Sequence, residues 1–261
     1  MRTVSPMDPA TDVPPRDTLV PPAPADRRTL IEEVLIVLAL SVLASAAYAI
    51  LSLIQAPVSG VVVAAANQSN AFMRQLLAFV FGLAPVFLVL HLVRRSGEGV
   101  GVVGLTIDRP GRDVARGVAL FAIVGLAGIG IYLAAVELGV NRFVVPTPPL
   151  GHWWTVPALV LNAVEAALVE EVIVLAYLIT RLQQLSWSPV AAIGASALLR
   201  GIYHLYQGWG GFVGNLAMGV LFGVAFLRLR RTWPFVIAHF LLDVSAGIGF
   251  ILFRKHLPGF S

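Results

Sequence analysis

Apolar residues in this chain come in runs of about twenty, such as GVALFAIVGLAGIGIYLAAVEL over 117–138. Runs of that length match a hydrocarbon layer about 30 Å thick. Inside such a layer every backbone N–H and C=O must be bonded within the protein, which leaves helices as the fold for runs this apolar. Seven runs are legible, over 31–54, 73–93, 117–138, 154–179, 188–206, 211–228 and 234–253. The composition agrees: 58% of the 261 residues are hydrophobic and 12% charged, against about 25% charged in a soluble domain. The predicted fold class is therefore all-α, a polytopic transmembrane bundle of about seven spans with room for an eighth. The transmembrane domain covers 29–261. The absence of Cys excludes disulfides, a thiol nucleophile and a Cys-ligated metal.

Residues 1–28 differ from everything after them, with seven prolines set among Asp and Arg. No apolar core follows a basic start, so this is not a signal peptide. It reads as a disordered tail. Arginines recur in alternate loops: Arg94, Arg95, Arg109, Arg112 and Arg116 in the second, Arg181 in the fourth, and Arg228, Arg230 and Arg231 in the sixth. With Arg27 and Arg28 in the tail, the positive-inside rule predicts a cytoplasmic N-terminus. No dense basic run is present, so nucleic acid is not an expected partner. Gly99, Gly101 and Gly104 match a dinucleotide-binding spacing, but they follow a membrane span rather than a strand. A tight juxtamembrane turn is the reading preferred.

Three groups of ionisable residues interrupt the later runs: Glu170-Glu171 in LVEEVIVLAYL, Arg200 and His204 in LLRGIYH, and His239 with Asp243 in AHFLLD. Charges at membrane depth are costly and mark function by default. Adjacent Glu170 and Glu171 point about 100° apart on a helix, so one can serve as a general base while the other meets a supporting partner. The alternative for the pair is a structural salt bridge. Ser196, Arg200 and His204 share a face at i, i+4 spacing. Arg200 cannot neutralise itself, so it needs a carboxylate from Glu165, Glu170, Glu171 or Asp243. His204 taken alone is more simply a core histidine bonded to a carbonyl. His239 and Asp243, also at i, i+4, can converge on a water or an oxyanion, or merely fix an imidazole tautomer. Two His and a carboxylate (Glu170, His204 and His239) could hold a catalytic zinc ion with an open position. Asn162, Gln207 and Asn215 read as backbone-satisfying or cavity-lining residues, and His91, His152 and His256 as interfacial ones.

In this order and on separate spans, the three groups resemble the CAAX-protease and bacteriocin-immunity family of intramembrane proteases, also called CPBP or Abi. Its signatures are Glu-Glu followed by Arg, then Phe-x-x-x-His, then His-x-x-x-Asn or Asp. The resemblance covers about 155–245. It implies that Glu170 is the catalytic glutamate, Glu171 its paired neighbour, His204 the second-motif histidine, and His239 with Asp243 the third motif. Two positions depart from the pattern: Leu175 stands where the family has Arg, and Arg200 where it has Phe. The missing and the gained arginine suggest that the counter-ion has moved between helices, with Arg200 pairing with Glu171.

The resemblance implies an endopeptidase in a bacterial inner membrane that acts on protein or peptide segments. Its water would be activated by Glu170, directly or through zinc, with Arg200 in support. An inactive member serving as a scaffold or immunity protein, and a proton-coupled transporter, are the alternatives. The substrate and the oligomeric state are not legible. One geometric conflict accompanies this reading. At 1.5 Å per residue, upright spans put Glu170 about 14 Å, His239 about 8 Å and His204 about 24 Å from the cytoplasmic boundary. A shared site then demands a later start for the fifth span, or tilt and bending at Gly194 and Gly201.

Overall fold

The computed structural model describes residues 26–55, 61–63 and 72–256. The expected tail falls outside these, except that Arg27 and Arg28 open the first helix and Arg28 pairs with Glu32 one turn on. Among the described residues the fold is all-α apart from one short pair of strands. Helices α1 (Arg27–Ser41) and α2 (Leu43–Gln55) occupy the first apolar run and meet at a 53° bend. Helices α3 (Phe72–Gly82) and α4 (Ala84–Arg95) fill the second, and α5 (Pro110–Glu137) the third. Strands β1 (Val61–Val63) and β2 (Phe143–Val145) pair in parallel, Val61 opposite Phe143, which the apolar pattern did not predict.

The fourth run is helical without a gap from Thr155 to Gln184 but changes pitch twice. It is α-helical over Thr155–Val169 (α6), π-helical over Glu170–Tyr177 and α-helical again over Leu178–Gln184 (α7). Helices α8 (Pro189–Tyr203), α9 (Trp209–Leu229) and α10 (Trp233–Phe253) follow. Among the described residues, four helical stretches are long and apolar enough to cross a membrane, or five if α1 and α2 form one broken span. The count of seven is matched in full length by four or five of the runs, the fourth and fifth being the exceptions. The pitch changes divide the fourth run, and α8 has only 15 residues.

Position in the bundle follows from patterning. The run VIVLAYLI is apolar on every side, and a helix with no polar face belongs in a core. Residues Glu171–Tyr177 are indeed all buried, with Val172, Ile173, Val174, Ala176 and Tyr177 fully so. Helices α4, α8, α9 and α10 pack against this segment. Small residues set their spacing: a Cβ on Gly219 of α9 would stand 2.8 Å from the Ala197 Cα of α8. A Cβ on Gly117 of α5 would meet Ile237 of α10 at 2.7 Å. Close backbone approach of this kind holds helices together where no hydrophobic effect separates protein from lipid.

Loops meet in the two sets that the charge pattern suggests. At one end Arg181 bonds Glu98, Arg230 bonds Gln183 at 3.2 Å, and Arg231 bonds Asp108 at 2.7 Å and Asp113 at 2.5 and 2.6 Å. At the other end, buried Arg142 bonds the Ser52 hydroxyl at 2.8 Å and the Tyr206 carbonyl at 2.9 Å. The glycine spacing near residue 100 forms a 3-10 turn, Val100–Val103, closed by Gly104 at φ +69°. Any side chain there would strike the Arg231 backbone, its Cβ being 2.8 Å from the Arg231 Cα. Gly104 therefore serves both the turn and close packing.

Candidate active site

The conflict of depths disappears once the helix ends are known. The rod bearing Glu170 continues past residue 179 to Gln184, and α8 starts at Pro189. Glu170 and Tyr203 are each fourteen residues from their side of that turn, so the antiparallel pair brings them level at roughly 20 Å. No later start of α8 is involved. Helix α10 begins at a level already inside the protein: Thr232 is fully buried, its N–H bonded to the Gly104 carbonyl at 2.9 Å and its hydroxyl to the Val103 carbonyl. His239 therefore reaches the glutamates although it lies only two turns into its helix.

Glu171 is fully buried, and its Oε1 accepts two hydrogen bonds. One comes from Arg200 Nη2 at 2.6 Å, the other from His239 Nδ1 at 2.7 Å. A carboxylate oxygen can only accept here, so Nδ1 of His239 carries the proton and Nε2 is turned away from Glu171. That Nε2 lies 3.6 Å from Asp243 Oδ2. Arg200 is 1% exposed, with its guanidinium carbon 5.8 Å from the centre of the Phe222 ring. Its Nη1 stands 3.6 Å from Glu170 Oε2. One guanidinium therefore faces both glutamates, with its short contact on Glu171.

Glu170 is the more open of the two, its side chain 15% exposed against 0% for Glu171. Its Oε2 accepts a hydrogen bond from the Tyr203 hydroxyl at 2.8 Å. The π-helical start at Glu170 accompanies this split, and single wide turns of this type are frequent at functional sites. Ser196, on the face shared with Arg200, gives its hydroxyl to the Val174 carbonyl at 2.6 Å. Leu175, at the position where an arginine was expected by resemblance, is a core side chain 1% exposed.

His204 lies just past the end of α8. Its Nδ1 is 3.0 Å from the Arg200 carbonyl, so Nδ1 donates and Nε2 keeps its lone pair. The ligand atoms that approach one another within 4.8 Å belong to Glu170, Glu171 and His239. Compared with the expected set Glu170, His204 and His239, this close group contains Glu171 and not His204. Asn162 bonds Gln75 at 3.1 Å and Asn215 bonds the Gly211 carbonyl at 2.9 Å, as expected of polar groups satisfying neighbours. Tyr203 is the residue that sequence reasoning missed. The available signal was a phenol in an apolar helix, one residue before a motif histidine, since a buried Tyr hydroxyl needs a partner.

Residues 152–245 match the family model described as type II CAAX prenyl endopeptidase Rce1-like. This stretch is similar to Rce1-like domains. Comparison with curated proteins and with solved structures found no significant match. Rce1-like proteins are CAAX-type intramembrane proteases, in agreement with the resemblance carried by the three motifs. The matched stretch holds every ionisable group of the site, from Glu170 to Asp243. Together with the long apolar helices the match points to an integral membrane protein, and peptide or protein is the substrate class of the matched family.

Proposed function

We propose that this chain is an intramembrane endopeptidase in which Glu170 activates water against peptide bonds of membrane-associated or C-terminal protein segments. The observation that carries this reading is the unequal treatment of two adjacent glutamates. Glu171 is sealed between Arg200 and His239. Glu170 remains partly open, with one oxygen held by Tyr203. In this reading Glu170 takes a proton from water as the resulting hydroxide adds to the scissile carbonyl. His204 orients that water through the free lone pair on Nε2. His239, protonated on Nε2, donates to the oxyanion. Asp243 assists only when protonated, because a bare carboxylate repels an oxyanion. The proton on Glu170 then passes to the leaving amine as the C–N bond breaks.

Zinc, which the histidines and carboxylates suggested, fits this donor set poorly. A divalent cation among Glu170, Glu171 and His239 would share both carboxylates with the Arg200 guanidinium, at 2.6 and 3.6 Å, and would meet the protonated side of His239. We therefore derive no step through a metal. The same reading places the chain in a bacterial inner membrane with its N-terminus cytoplasmic, supported by the arginines gathered in the second, fourth and sixth loops.

The test uses purified protein in liposomes and a fluorogenic peptide ending in a farnesylated CAAX sequence. Glu170→Gln keeps size and most hydrogen bonding but removes proton acceptance, so turnover falls by about 10²–10⁴-fold. Undiminished turnover in that variant overturns the assignment. Activity persists in a strong chelator; loss on chelation with recovery on adding zinc would replace this chemistry by a metal-based one.

A further inference from the structure

Both oxygens of the exposed glutamate have to be accounted for. Glu170 Oε2 receives the Tyr203 hydroxyl at 2.8 Å and faces Arg200 Nη1 at 3.6 Å. Among the described residues no protein hydrogen bond reaches Oε1. Tyr203 is 5% exposed, in the last turn of α8, and its ring lies 4.7 Å from that of His204, centre to centre, at 41°. Its hydroxyl acts as a donor to Glu170. The side chain therefore links the backbone that carries Arg200 and His204 to one named oxygen of the glutamate.

We infer that Tyr203 is a positioning residue that holds Oε2 of Glu170 and leaves Oε1 as the oxygen that takes the proton from water. The inference rests on the proposed role of Glu170 and deepens it. A carboxylate on a flexible stem can present either oxygen in several rotamers. A phenol hydroxyl that engages one oxygen fixes the rotamer and leaves the other without a protein donor, on a side chain that is 15% exposed. Arg200 cannot do this alone, because its short contact is to Glu171 at 2.6 Å and its approach to Glu170 is too long for a hydrogen bond. The work is therefore divided along one helix: Arg200 neutralises, Tyr203 orients, and His204 closes the turn beside them. The phenol adds no new charge to the membrane interior, which suits a group whose only task is geometry.

The experiment compares wild type, Tyr203→Phe and Glu170→Gln in the full chain, with the farnesylated CAAX peptide as probe. Tyr203→Phe keeps the ring against His204 and removes only the hydroxyl. The expected result is a drop in kcat of about 10–100-fold with KM within about twofold of wild type, as a displaced reacting group produces. An unchanged kcat, or a raised KM with kcat intact, overturns the inference, the latter by making Tyr203 a substrate-binding group. If Tyr203→Phe does not fold, 3-fluorotyrosine at position 203 keeps the contacts while strengthening the donor, and an unchanged kcat there is equally fatal. Infrared spectra supply a readout independent of activity. The carboxylate band absent from Glu170→Gln shifts in Tyr203→Phe, or in the fluorotyrosine protein. A wild type that leaves the peptide uncut defeats the protease reading while the band shift still decides whether Tyr203 holds Glu170; an unmoved band overturns the inference in either case.

Discussion

Arg200 meets Glu171 from a neighbouring helix, whereas position 175, where the resemblance would place an arginine, is Leu. Leu175 is buried among apolar neighbours, and Arg200 reaches Glu171 from α8 at 2.6 Å. The charge requirement of the glutamate pair is thus met by a different segment. Arg200→Phe would leave Glu171 buried with only His239 beside it, and removing one member of a buried pair costs about 3–5 kcal/mol. We expect that variant to unfold at lower temperature and to lose activity. Adding Leu175→Arg should recover much of both, since it returns a guanidinium to the usual side of the pair. A double variant no better than Arg200→Phe, by thermal melt and peptide turnover, would show that the two positions are not interchangeable.

The elements succeed or fail together because α8 carries Arg200 and Tyr203, leads directly into His204, and is held by α9 at glycine contacts. At Gly219 a Cβ would be 2.8 Å from the Ala197 Cα and 3.4 Å from Arg200 Cδ, whereas Gly214 on the same helix has open space around it. Gly219→Val should therefore cost about 1–3 kcal/mol, typical of overpacking, and should impair turnover by moving α8. Gly214→Val should leave both nearly unchanged. Equal melting temperatures for the two variants would remove the role given to this contact. At this scale the sequence was informative in an uneven way. The last two runs, expected over 211–228 and 234–253, appear as Trp209–Leu229 and Trp233–Phe253, because Gly208 and Pro234 punctuate them. The end of the fourth run at Gln184 was not legible, since Arg181 looked like a loop charge. Its partner Glu98 comes from a segment 83 residues away, so the helix can continue through a buried arginine.

For the whole molecule, the cluster of Arg231, Asp108 and Asp113 ties the second and sixth loops together. The hydrogen bond from Arg231 holds the Asp108 carboxyl well below its ordinary value of 3.8, with Thr106 assisting. A folded-state value below the unfolded one means that the contribution to stability is complete above about pH 4 and is lost as pH falls through 3.8 and lower. Asp108→Asn should therefore lower the melting temperature modestly at pH 6 and less at pH 3, and a difference that does not shrink toward low pH would exclude this linkage. The apolar runs, the i, i+4 spacing of His239 and Asp243, and the need of Arg200 for a carboxylate were all determined by the sequence by itself. Helix pitch and the insolubility of charge in hydrocarbon act within a single segment. The pairing of Arg200 with Glu171, expected from the two departures, is met at 2.6 Å, whereas the exclusion of His204 from the close group and the hold of Tyr203 on Glu170 were decided only by the tertiary structure. Those contacts depend on how far each helix runs before it turns and on the level at which its neighbour begins. Such lengths are set by packing between segments distant in the chain.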